Sequence, residues 1–535
     1  MTFRSTQRDD SFFRTTLAAE AQALAESRPD DVAIWFDNGD SLTFGDAWRE
    51  GRALAAALAA RGLAKGDVIS FQLPNWRESV AVDLAASILG LVINPIVPIY
   101  RDRELQFILK DTGAKALIIP REFRRFDYAE MMSGLRAELP ALQHVITARD
   151  PEPLAFCETF EALMREGAAN PASPVNVDPS DIKIVMYTSG TTGSPKAVRH
   201  THETLKRSMY QGVDGWNITA ADRMLMPSPV THVTGFVNGI ELPFLSPARS
   251  ILMETWNVDR AIEMINELGA TTCVSATPFL QELVAKAEAT GSGLSGFRLF
   301  ACGGAAVPPR LIRQTHEILD DCRAFRVYGS TEAPLVSVGF LQPEQEQFAA
   351  ETDGEVFNYE VRILDDDDNE LPLGSDGNIV VKGPVLMVGY GKDEQTREAM
   401  TADGYFRTGD IGHLTPENAI VITDRKKDII IRGGENLSAR EIEEVLYGHP
   451  AFADVSVVSM PHERLGEGVC AFVIVADGHD CPDPISLRPY LDQCRLAKQK
   501  WPERIEPIDE FPKTPSGKVK KDILRNEIKT RLAQG

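Results

Sequence analysis

The segment richest in residues that can do chemistry is Tyr187-Thr-Ser-Gly-Thr-Thr-Gly-Ser-Pro-Lys196. Its glycines allow tight turns that present backbone N–H groups, and its hydroxyls add further donors. The lysine adds a positive charge for phosphate oxygens, so the segment predicts a triphosphate-binding loop between a strand and a helix. It is not a Walker A loop, because Pro195 precedes the lysine. A polar loop without a ligand is the alternative, which so dense a cluster disfavours.

A second candidate is Tyr328-Gly-Ser-Thr-Glu332, which follows a strand-like run. Glu332 offers a carboxylate that suits Mg²⁺, an oxygen-seeking ion that accompanies nucleotide phosphates. Tyr328 offers a ring that can stack on a base. Taken alone, the pentapeptide is explained equally well by a strand end followed by a capped helix.

Two more segments each carry charged groups suited to a nucleotide. Asp410, in Thr408-Gly-Asp410, offers a carboxylate for the paired hydroxyls of a ribose, and Arg425 offers a guanidinium for a hydroxyl or phosphate. Without further context, an ordinary turn is the favoured interpretation of both. Lys518 ends the loop Pro512-Lys-Thr-Pro-Ser-Gly-Lys518, for which a solvated basic tail is the alternative.

The elements that position these segments are predicted from hydrophobic periodicity. Residues 46–61 place apolar side chains on one helical face, and Val68–Leu73 is a short apolar run typical of a buried strand. Strand-like and helix-like stretches alternate up to about residue 350, which predicts mostly parallel sheets covered by helices. The strand-like runs include Ala116–Pro120, Ile182–Tyr187, Met224–Met226, Ser250–Met253, Cys273–Ala276, Arg298–Ala301 and Phe325–Tyr328, and the helix-like stretches include Val258–Leu268 and Pro309–Leu319.

The remainder of the chain has a different pattern. Short strands alternate with turns, and the acidic run Asp365–Asp368 predicts a solvated hairpin turn. The polar residues 424–428 lie between two apolar runs and predict a domain boundary. The strands predicted before it are Val361–Leu364, Asn378–Lys382 and Ala419–Thr423; after it come the helices Ala439–Leu446, Ile485–Arg495 and Lys521–Arg531 and the strands Asp454–Val458 and Val469–Val475.

Composition narrows the class of protein. The 535 residues exceed the size of one ordinary domain. With 56 Lys and Arg against 78 Asp and Glu, the formal net charge is −22. This acidic balance argues against nucleic acid as the main partner, although it leaves room for a local basic pocket.

Three features predict the compartment. The N-terminal residues mix both charge signs without an apolar segment, so no secretory signal is predicted. The most apolar window, Ser79–Tyr100, is interrupted by Asp83 and two prolines, which favours a buried helix and strand over a membrane span. Seven scattered cysteines without a Cys-x-x-Cys pair predict reduced thiols, no zinc site and a cytoplasmic location.

Together, the four segments resemble, in order and separation, the adenylate-forming superfamily, which includes acyl-CoA synthetases, aryl-CoA ligases, firefly luciferase and the adenylation domains of peptide synthetases. The resemblance covers nearly the whole chain. It is strongest to bacterial short- and medium-chain acyl-CoA synthetases and cyclohexanecarboxylate–CoA ligases. The stretches that support it are Pro227–Phe236, Ala276–Phe279, Ala301–Gly304 and Arg425–Asn436.

The resemblance implies an α/β fold in two domains. Residues 1–424 would form a large N-terminal domain of parallel-rich sheets covered by helices, with a small β-barrel-like subdomain. Residues 425–428 would form a hinge with Lys427 at its centre, and residues 429–535 a small mobile α+β C-terminal domain.

It also implies a role for each matching residue. Lys518 would be the catalytic lysine that bridges the substrate carboxylate and the reacting phosphate, and Glu332 would bind Mg²⁺. Gly433 and Gly434 would line the tunnel through which a thiol reaches the acyl group. The residues implied to hold ATP are Thr188, Ser189, Gly190, Thr191, Thr192 and Lys196 at the β- and γ-phosphates, Thr331 at the α-phosphate, Gly304, Ala305, Ala306 and Tyr328 at adenine, and Asp410 with Arg425 at the ribose. Gly329 and Ser330, between Tyr328 and Thr331, are implied to bind the nucleotide as well.

The acyl site is implied by His232 and its neighbours. A lone histidine is more often a packed structural residue, but the resemblance places His232 at a gate beside the phosphates. No Asp or Glu occurs in residues 228–238, which favours an uncharged acid over an amino acid. The other residues implied to shape this site are Val233, Thr234, Phe236, Val237, Asn238 and Gly303.

The predicted activity is therefore an acid–thiol ligase that converts a fatty or alicyclic acid, ATP and coenzyme A into acyl-CoA, AMP and pyrophosphate. One alternative is an enzyme that loads the acyl group onto a carrier protein. Another is a nucleotide-binding regulator without catalysis, although the presence of Lys196, Glu332, Asp410 and Lys518 together disfavours it. A homodimer is the predicted assembly.

Overall fold

Two large sheets form the framework of the first two thirds of the chain. The computed structural model describes residues 8–188, 195–305, 307–319, 321–514 and 518–534. The first sheet has seven strands, parallel except for the last pair. In spatial order they are Arg323–Val327, Leu299–Gly303, Thr272–Ser275, Arg223–Met226, Arg249–Leu252, Val32–Phe36 and Ser41–Thr43.

The second sheet has eight strands; the second runs antiparallel to both of its neighbours, and all other neighbouring pairs are parallel. In spatial order they are Gly389–Tyr390, Lys196–Thr201, Ile182–Thr188, Val92–Pro95, Val68–Phe71, Ala116–Pro120, His144–Ala148 and Cys157–Thr159. A separate two-stranded ribbon pairs Glu122–Phe123 with Phe126–Asp127.

Helices cover and separate these sheets. The helix Arg77–Leu89 is buried on every side from Ser79 onward, as expected for a helix that is apolar all round. Gly51 of a neighbouring helix lies so close to Leu84 that an added Cβ would be 2.7 Å from the leucine Cβ. The α-helices before residue 350 are Asp10–Phe13, Leu17–Ser27, Phe44–Ala60, Arg77–Leu89, Asp102–Thr112, Tyr128–Leu135, Phe160–Ala168, His202–Gly215, Val233–Gly235, Leu242–Leu245, Val258–Leu268, Thr277–Thr290, Pro309–Ile318 and Glu346–Glu351, with a π-helix at Phe236–Glu241.

A four-stranded antiparallel sheet follows, made of Glu360–Leu364, Gly377–Lys382, Phe406–Leu414 and Ile420–Arg425. Its apolar face shares one core with Val198 and Tyr390 of the eight-stranded sheet and with Val336. That shared core fixes the four-stranded sheet against the end of the eight-stranded one. Where a barrel-like subdomain is predicted, the sheet is open, because its edge strands, both fully described, do not pair with each other.

The C-terminal part has a sheet of its own, with the strands Glu435–Leu437, Ile430–Arg432, Gly466–Val475, Phe452–His462 and Arg504–Pro507. The helices Ala439–Tyr447 and Arg488–Gln493 cover one face, and Lys521–Gln534 covers the other. One further helix, Asp393–Glu398, packs against the edge strand Gly389–Tyr390 of the eight-stranded sheet. The boundary at residues 424–428 stays a prediction.

The predicted fold class is confirmed, and most predicted elements are found within a few residues of their expected bounds. The residues Asp365–Asp368 form an exposed turn, closed by a bridge between Leu364 and Glu370, within the longer connection between two antiparallel strands. The predicted helix Ile485–Arg495 is shorter, Arg488–Gln493, because the Asp483 carboxylate accepts hydrogen bonds from the N–H groups of Ile485 and Ser486 and holds them in a turn. No helix in the described ranges is long and apolar enough to cross a membrane. All seven cysteines are free.

Candidate functional site

The hydroxyl-rich loop joins two antiparallel strands rather than a strand and a helix, so that part of the prediction is wrong. Thr188 pairs with Lys196, and the helix begins only at His202, where the Thr201 hydroxyl caps it. The strand was missed because Lys196, Arg199 and His200 give Lys196–Thr201 a polar sequence, although the strand pairs on both sides. The predicted residues Ser189, Gly190, Thr191 and Thr192 lie outside the described residues.

The Glu332 carboxylate lies beside the start of that loop. The Thr188 hydroxyl donates a hydrogen bond to Glu332 Oε1 at 3.3 Å, and the Tyr390 hydroxyl donates to the same oxygen at 3.0 Å. In the described part of the chain no donor contacts Oε2. The backbone carbonyl of Thr331 accepts a hydrogen bond from the His200 ring at 2.8 Å. One carboxylate oxygen is thereby held in place and the other is left open.

The turn before Glu332 is tight. Ser330 and Ala333 exchange backbone and side-chain hydrogen bonds across it. A Cβ added at Gly329 would clash with the backbone N of Leu335. Burial and the Asp410 carboxylate raise the pKa of the Tyr328 hydroxyl, which therefore stays protonated. It donates a hydrogen bond to Asp410 Oδ2 at 2.6 Å.

Asp410 and Arg425 face each other across two neighbouring strands of the four-stranded sheet. Arg425 Nε lies 3.3 Å from Asp410 Oδ1, and half of the arginine side chain is exposed. Since Tyr328 contacts the other oxygen of Asp410, the carboxylate is fixed from two sides. The two predicted ribose residues are thus adjacent to each other and to the Tyr328 loop.

Lys518 reaches the same space from the C-terminal part of the chain. A Cβ added at Gly304 would lie 3.6 Å from Lys518 Cε. Burial and the positive charge of Arg425 lower the pKa of Lys518 to about 8, against the opposing effect of Asp410 and Glu332. The predicted site residues Gly304, Glu332, Asp410, Arg425 and Lys518 therefore surround one space.

Ala305 follows Gly304 at the end of strand Leu299–Gly303, and Ala306 is outside the described residues. A Cβ at Gly303 would lie 2.5 Å from the carbonyl oxygen of Val327 on the neighbouring strand. Close packing of the two strands therefore requires this glycine, whatever its part in substrate binding.

His232 begins the helical segment next to this space. Its Nδ1 accepts a hydrogen bond from the Thr234 N–H at 3.4 Å. Burial and the charge of Lys518 lower the pKa of His232 to about 4, so the ring is neutral at pH 7. Asn238 and Thr234 are half-buried and joined by a hydrogen bond of 3.0 Å, while Val233, Phe236 and Val237 are buried. The segment is apolar apart from neutral hydrogen-bonding groups.

The predicted thiol-tunnel glycines lie elsewhere. Gly433 and Gly434 form the two-residue turn between Ile430–Arg432 and Glu435–Leu437, with φ values of +62° and +90°. Both positions have the left-handed backbone of a type I′ turn, which favours glycine. Both are exposed, and none of the described contacts joins them to the candidate nucleotide residues. Lys427 is exposed too, and its carbonyl accepts a hydrogen bond from Arg525 at 3.3 Å.

Sequence reasoning missed three groups. Tyr390 was not singled out from the sequence, although its hydroxyl contacts Glu332. Asp353 accepts hydrogen bonds from Arg326 at 2.8 Å and from Arg440 at 3.1 Å. The third group is a buried cluster in which the Lys183 ammonium contacts Asp83 and Glu241. Its signals in the sequence were a lysine inside the apolar run Ile182–Tyr187 and Asp83 inside the apolar window Ser79–Tyr100.

Comparison with known proteins agrees with this arrangement. The family model for AMP-binding enzymes matches residues 20–391, and that for their C-terminal domain matches residues 441–518. A medium-chain fatty-acid–CoA ligase of Escherichia coli (strain K12) is 33% identical, over 97% of this chain and 91% of its own length. A fatty acid–[acyl-carrier-protein] ligase of Streptomyces coeruleorubidus is 29% identical, over 97% of this chain and 96% of its own length.

Among solved structures, MatB from Rhodopseudomonas palustris is 25% identical to this chain in two forms. The match to the ATP-bound form has a TM-score of 0.83 and covers 96% of this chain and 99% of the MatB chain. The match to the apo form has a TM-score of 0.72 and covers 97% of this chain and 99% of the MatB chain. The arrangement described here is thus more similar to the ATP-bound form. With both family models matched over most of its length, the chain belongs to the AMP-binding enzymes of the adenylate-forming superfamily and is a ligase.

Proposed function

We propose that this chain activates a fatty or alicyclic carboxylic acid with ATP and transfers the acyl group to coenzyme A, releasing AMP and pyrophosphate. The observation that supports it most is the convergence of Glu332, Asp410, Arg425 and Lys518 around one space. Tyr328 and Asp410 would hold the adenosine end of ATP, and Glu332 and Lys196 the phosphate end.

The first half-reaction needs no general base, because a carboxylate is already a nucleophile. Its oxygen attacks the α-phosphorus of ATP, the bond to the β-phosphate oxygen breaks, and pyrophosphate leaves with the electron pair. The difficulty is the repulsion between two anions. Lys518 would lie between the carboxylate and the reacting phosphate and stabilise the charge that develops there.

The residues around Glu332 fit a magnesium ion that arrives with ATP. The open Oε2 of Glu332 and the nearby Thr188 hydroxyl are oxygen donors of the kind Mg²⁺ prefers. The described residues contain no group of three or more His, Cys, Asp or Glu that could hold a metal by themselves. We infer that phosphate oxygens and water complete the coordination, and that the ion reduces the negative charge of the phosphates.

The residues predicted to form one wall of the acyl site, 232–238, support an uncharged acid as the substrate. His232 is neutral, and the segment that follows offers methyl groups, a phenyl ring and one amide. None of the side chains of residues 232–238 carries a charge that would pair with a carboxylate or ammonium at the far end of the substrate. Similarity to a medium-chain fatty-acid–CoA ligase supports the same class of acid.

The second half-reaction would use a different domain arrangement. The Gly433–Gly434 turn is exposed here, away from Lys518. For it to line a thiol tunnel, the C-terminal domain, residues 429–535, must rotate about the hinge at residues 425–428. The greater similarity to ATP-bound than to apo MatB supports the view that the present arrangement serves adenylation. In the rotated arrangement the thiol sulfur attacks the acyl carbon and AMP leaves.

Loading of a carrier protein is the competing function, and similarity to a fatty acid–[acyl-carrier-protein] ligase favours it. We prefer coenzyme A because the more similar relative is a CoA ligase. A cytoplasmic location and a homodimer complete the proposal.

Exchange of labelled pyrophosphate into ATP, dependent on added acid, tests the first half-reaction. A panel of short-chain, medium-chain, cyclohexane and benzoate acids, scored by AMP release, should show preference for an apolar acid. Release of ADP instead of AMP would overturn the proposal. Saturable thioester formation with free coenzyme A supports the CoA reaction, whereas activity with carrier protein alone supports the alternative.

Substitution of Lys518 distinguishes its role in adenylation from any role in thioester formation. Lys518→Ala should abolish exchange while thioester formation from supplied acyl-adenylate partly survives. Lys529→Ala removes an exposed lysine from the same part of the chain and should change neither step. Equal loss of both steps in Lys518→Ala would contradict the role given to Lys518.

A further inference from the structure

Tyr390 joins two charged groups of the candidate phosphate region. Its hydroxyl donates a hydrogen bond to Glu332 Oε1 at 3.0 Å, and the Lys196 ammonium lies 5.0 Å from the centre of its ring. A cation at that distance from an aromatic ring is attracted by the electrons of the ring face. One side chain therefore contacts both the carboxylate assigned to Mg²⁺ and the lysine assigned to phosphate.

The backbone explains why both contacts are possible. Tyr390 lies in the edge strand Gly389–Tyr390, opposite Val198 of the strand that begins at Lys196. Lys196 is two residues from Val198, so it lies diagonally across from the tyrosine on the same face. The Tyr390 N–H donates to the Thr396 hydroxyl at 2.9 Å, and only 3% of the tyrosine is exposed. The ring is therefore held rigidly.

The hydrogen bond determines which carboxylate oxygen of Glu332 is free. Tyr390 and Thr188 both donate to Oε1, and the tyrosine contact is the shorter of the two. Without this donor, the carboxylate would be held by Thr188 alone at 3.3 Å and could rotate.

We propose that Tyr390 is a positioning residue for adenylation, which orients Glu332 Oε2 toward the metal that accompanies ATP and holds Lys196 toward the phosphates. The inference rests on the proposed function. It predicts that the tyrosine hydroxyl supports the metal-dependent part of nucleotide binding, whereas the ring supports the metal-independent part through Lys196.

The test compares two tyrosines of matched surroundings. Tyr405 is also 3% exposed, its hydroxyl contacts Glu360, and Arg362 lies over its ring, but it lies outside the candidate site. Tyr390→Phe and Tyr405→Phe therefore remove the same group from similar environments. Tyr390→Leu removes the ring as well. Binding of a non-hydrolysable ATP analogue is measured by calorimetry with and without Mg²⁺, together with thermal midpoints.

In Tyr390→Phe we expect the tightening of analogue binding by Mg²⁺ to fall about tenfold or more, with metal-free binding within twofold of wild type. Tyr390→Leu should also weaken metal-free binding. In the exchange assay, kcat of Tyr390→Phe should fall about tenfold while thioester formation from supplied acyl-adenylate is unchanged. Tyr405→Phe should match wild type throughout.

Three results would overturn the proposal. One is a Tyr390→Phe protein that binds the analogue like Tyr405→Phe in both conditions. Another is that Tyr390→Phe weakens binding of the analogue equally with and without Mg²⁺, which would indicate a merely structural role. The third is that Tyr390→Phe slows adenylation and thioester formation equally. If wild type binds the analogue with Mg²⁺ but shows no acid-dependent exchange, the proposed function fails while the binding measurements still decide the role of Tyr390.

Discussion

The lowered pKa of Lys518 predicts how adenylation depends on pH. An ordinary lysine, with a pKa near 10.5, stays charged at every pH at which the enzyme is stable. Burial and the nearby Arg425 charge lower the pKa of Lys518 to about 8. Because the protonated form carries the charge that stabilises the reacting phosphate, activity should be lost as pH rises through this pKa.

The size of the expected loss of activity follows from the protonated fraction of Lys518 at each pH. With a pKa of about 8, roughly nine tenths of Lys518 is protonated at pH 7 and roughly one tenth at pH 9. At subsaturating ATP, kcat/KM reports groups of the free enzyme, so acid-dependent pyrophosphate exchange should fall about tenfold between pH 7 and pH 9. At saturating ATP the phosphates favour the charged lysine, and the decline should shift to higher pH.

Lys518→Arg is the control, because a guanidinium stays charged across this range. Its exchange rate should be lower than that of wild type but should not fall between pH 7 and pH 9. Burial keeps His232 neutral above about pH 5, so it adds no decline of its own. A wild-type profile flat to pH 9, or the same decline in Lys518→Arg, would refute the assignment.

Three further changes test other parts of the structure. Arg440→Ala should slow adenylation several-fold and leave thioester formation from supplied acyl-adenylate unchanged, because the proposed rotation of the C-terminal domain would separate Arg440 from Asp353, which it contacts here; equal effects on both steps would contradict that expectation. Lys427→Pro should impair thioester formation more than pyrophosphate exchange, since proline restricts the hinge, and unimpaired thioester formation would remove the hinge assignment. Gly303→Ala should lower the free energy of unfolding by ~1–3 kcal/mol, measured by denaturant titration, because its Cβ would press on the Val327 carbonyl; an unchanged midpoint would show that the strands can separate.

The sequence was sufficient to predict the convergence of the candidate site. Glu332, Asp410 and Lys518 each stand in a local pattern that the resemblance to adenylate-forming enzymes assigns to the binding of one nucleotide. Each pattern alone was ambiguous, as the ordinary-turn interpretation of Asp410 shows. Only their joint order along the chain favoured a nucleotide site, and the distances around Tyr328 and Arg425 agree with it.

What the sequence did not predict depends on pairing between distant segments. The strand Lys196–Thr201 has only two apolar residues, Ala197 and Val198, and does not alternate between apolar and polar positions. It is stabilised by hydrogen bonds to strands on both sides, which hydrophobic periodicity does not report. The contact of Tyr390 with Glu332 likewise joins segments 58 residues apart. Asp353 and Arg440 are 87 residues apart, and no local signal distinguishes their ion pair from surface charges.

The charges around the candidate site explain why ATP should favour the present arrangement. Lys518 and Arg425 bring two positive charges close together, and their repulsion contributes to the lowered pKa of the lysine. Glu332 and Asp410 offset this only in part. The negative charge of a bound triphosphate would attract both Lys518 and Arg425 and outweigh the repulsion between them. Departure of pyrophosphate would remove most of that negative charge. We therefore expect release of the C-terminal segment that carries Lys518 to be coupled to completion of the first half-reaction, and the upward shift of the pH decline at saturating ATP would measure that coupling.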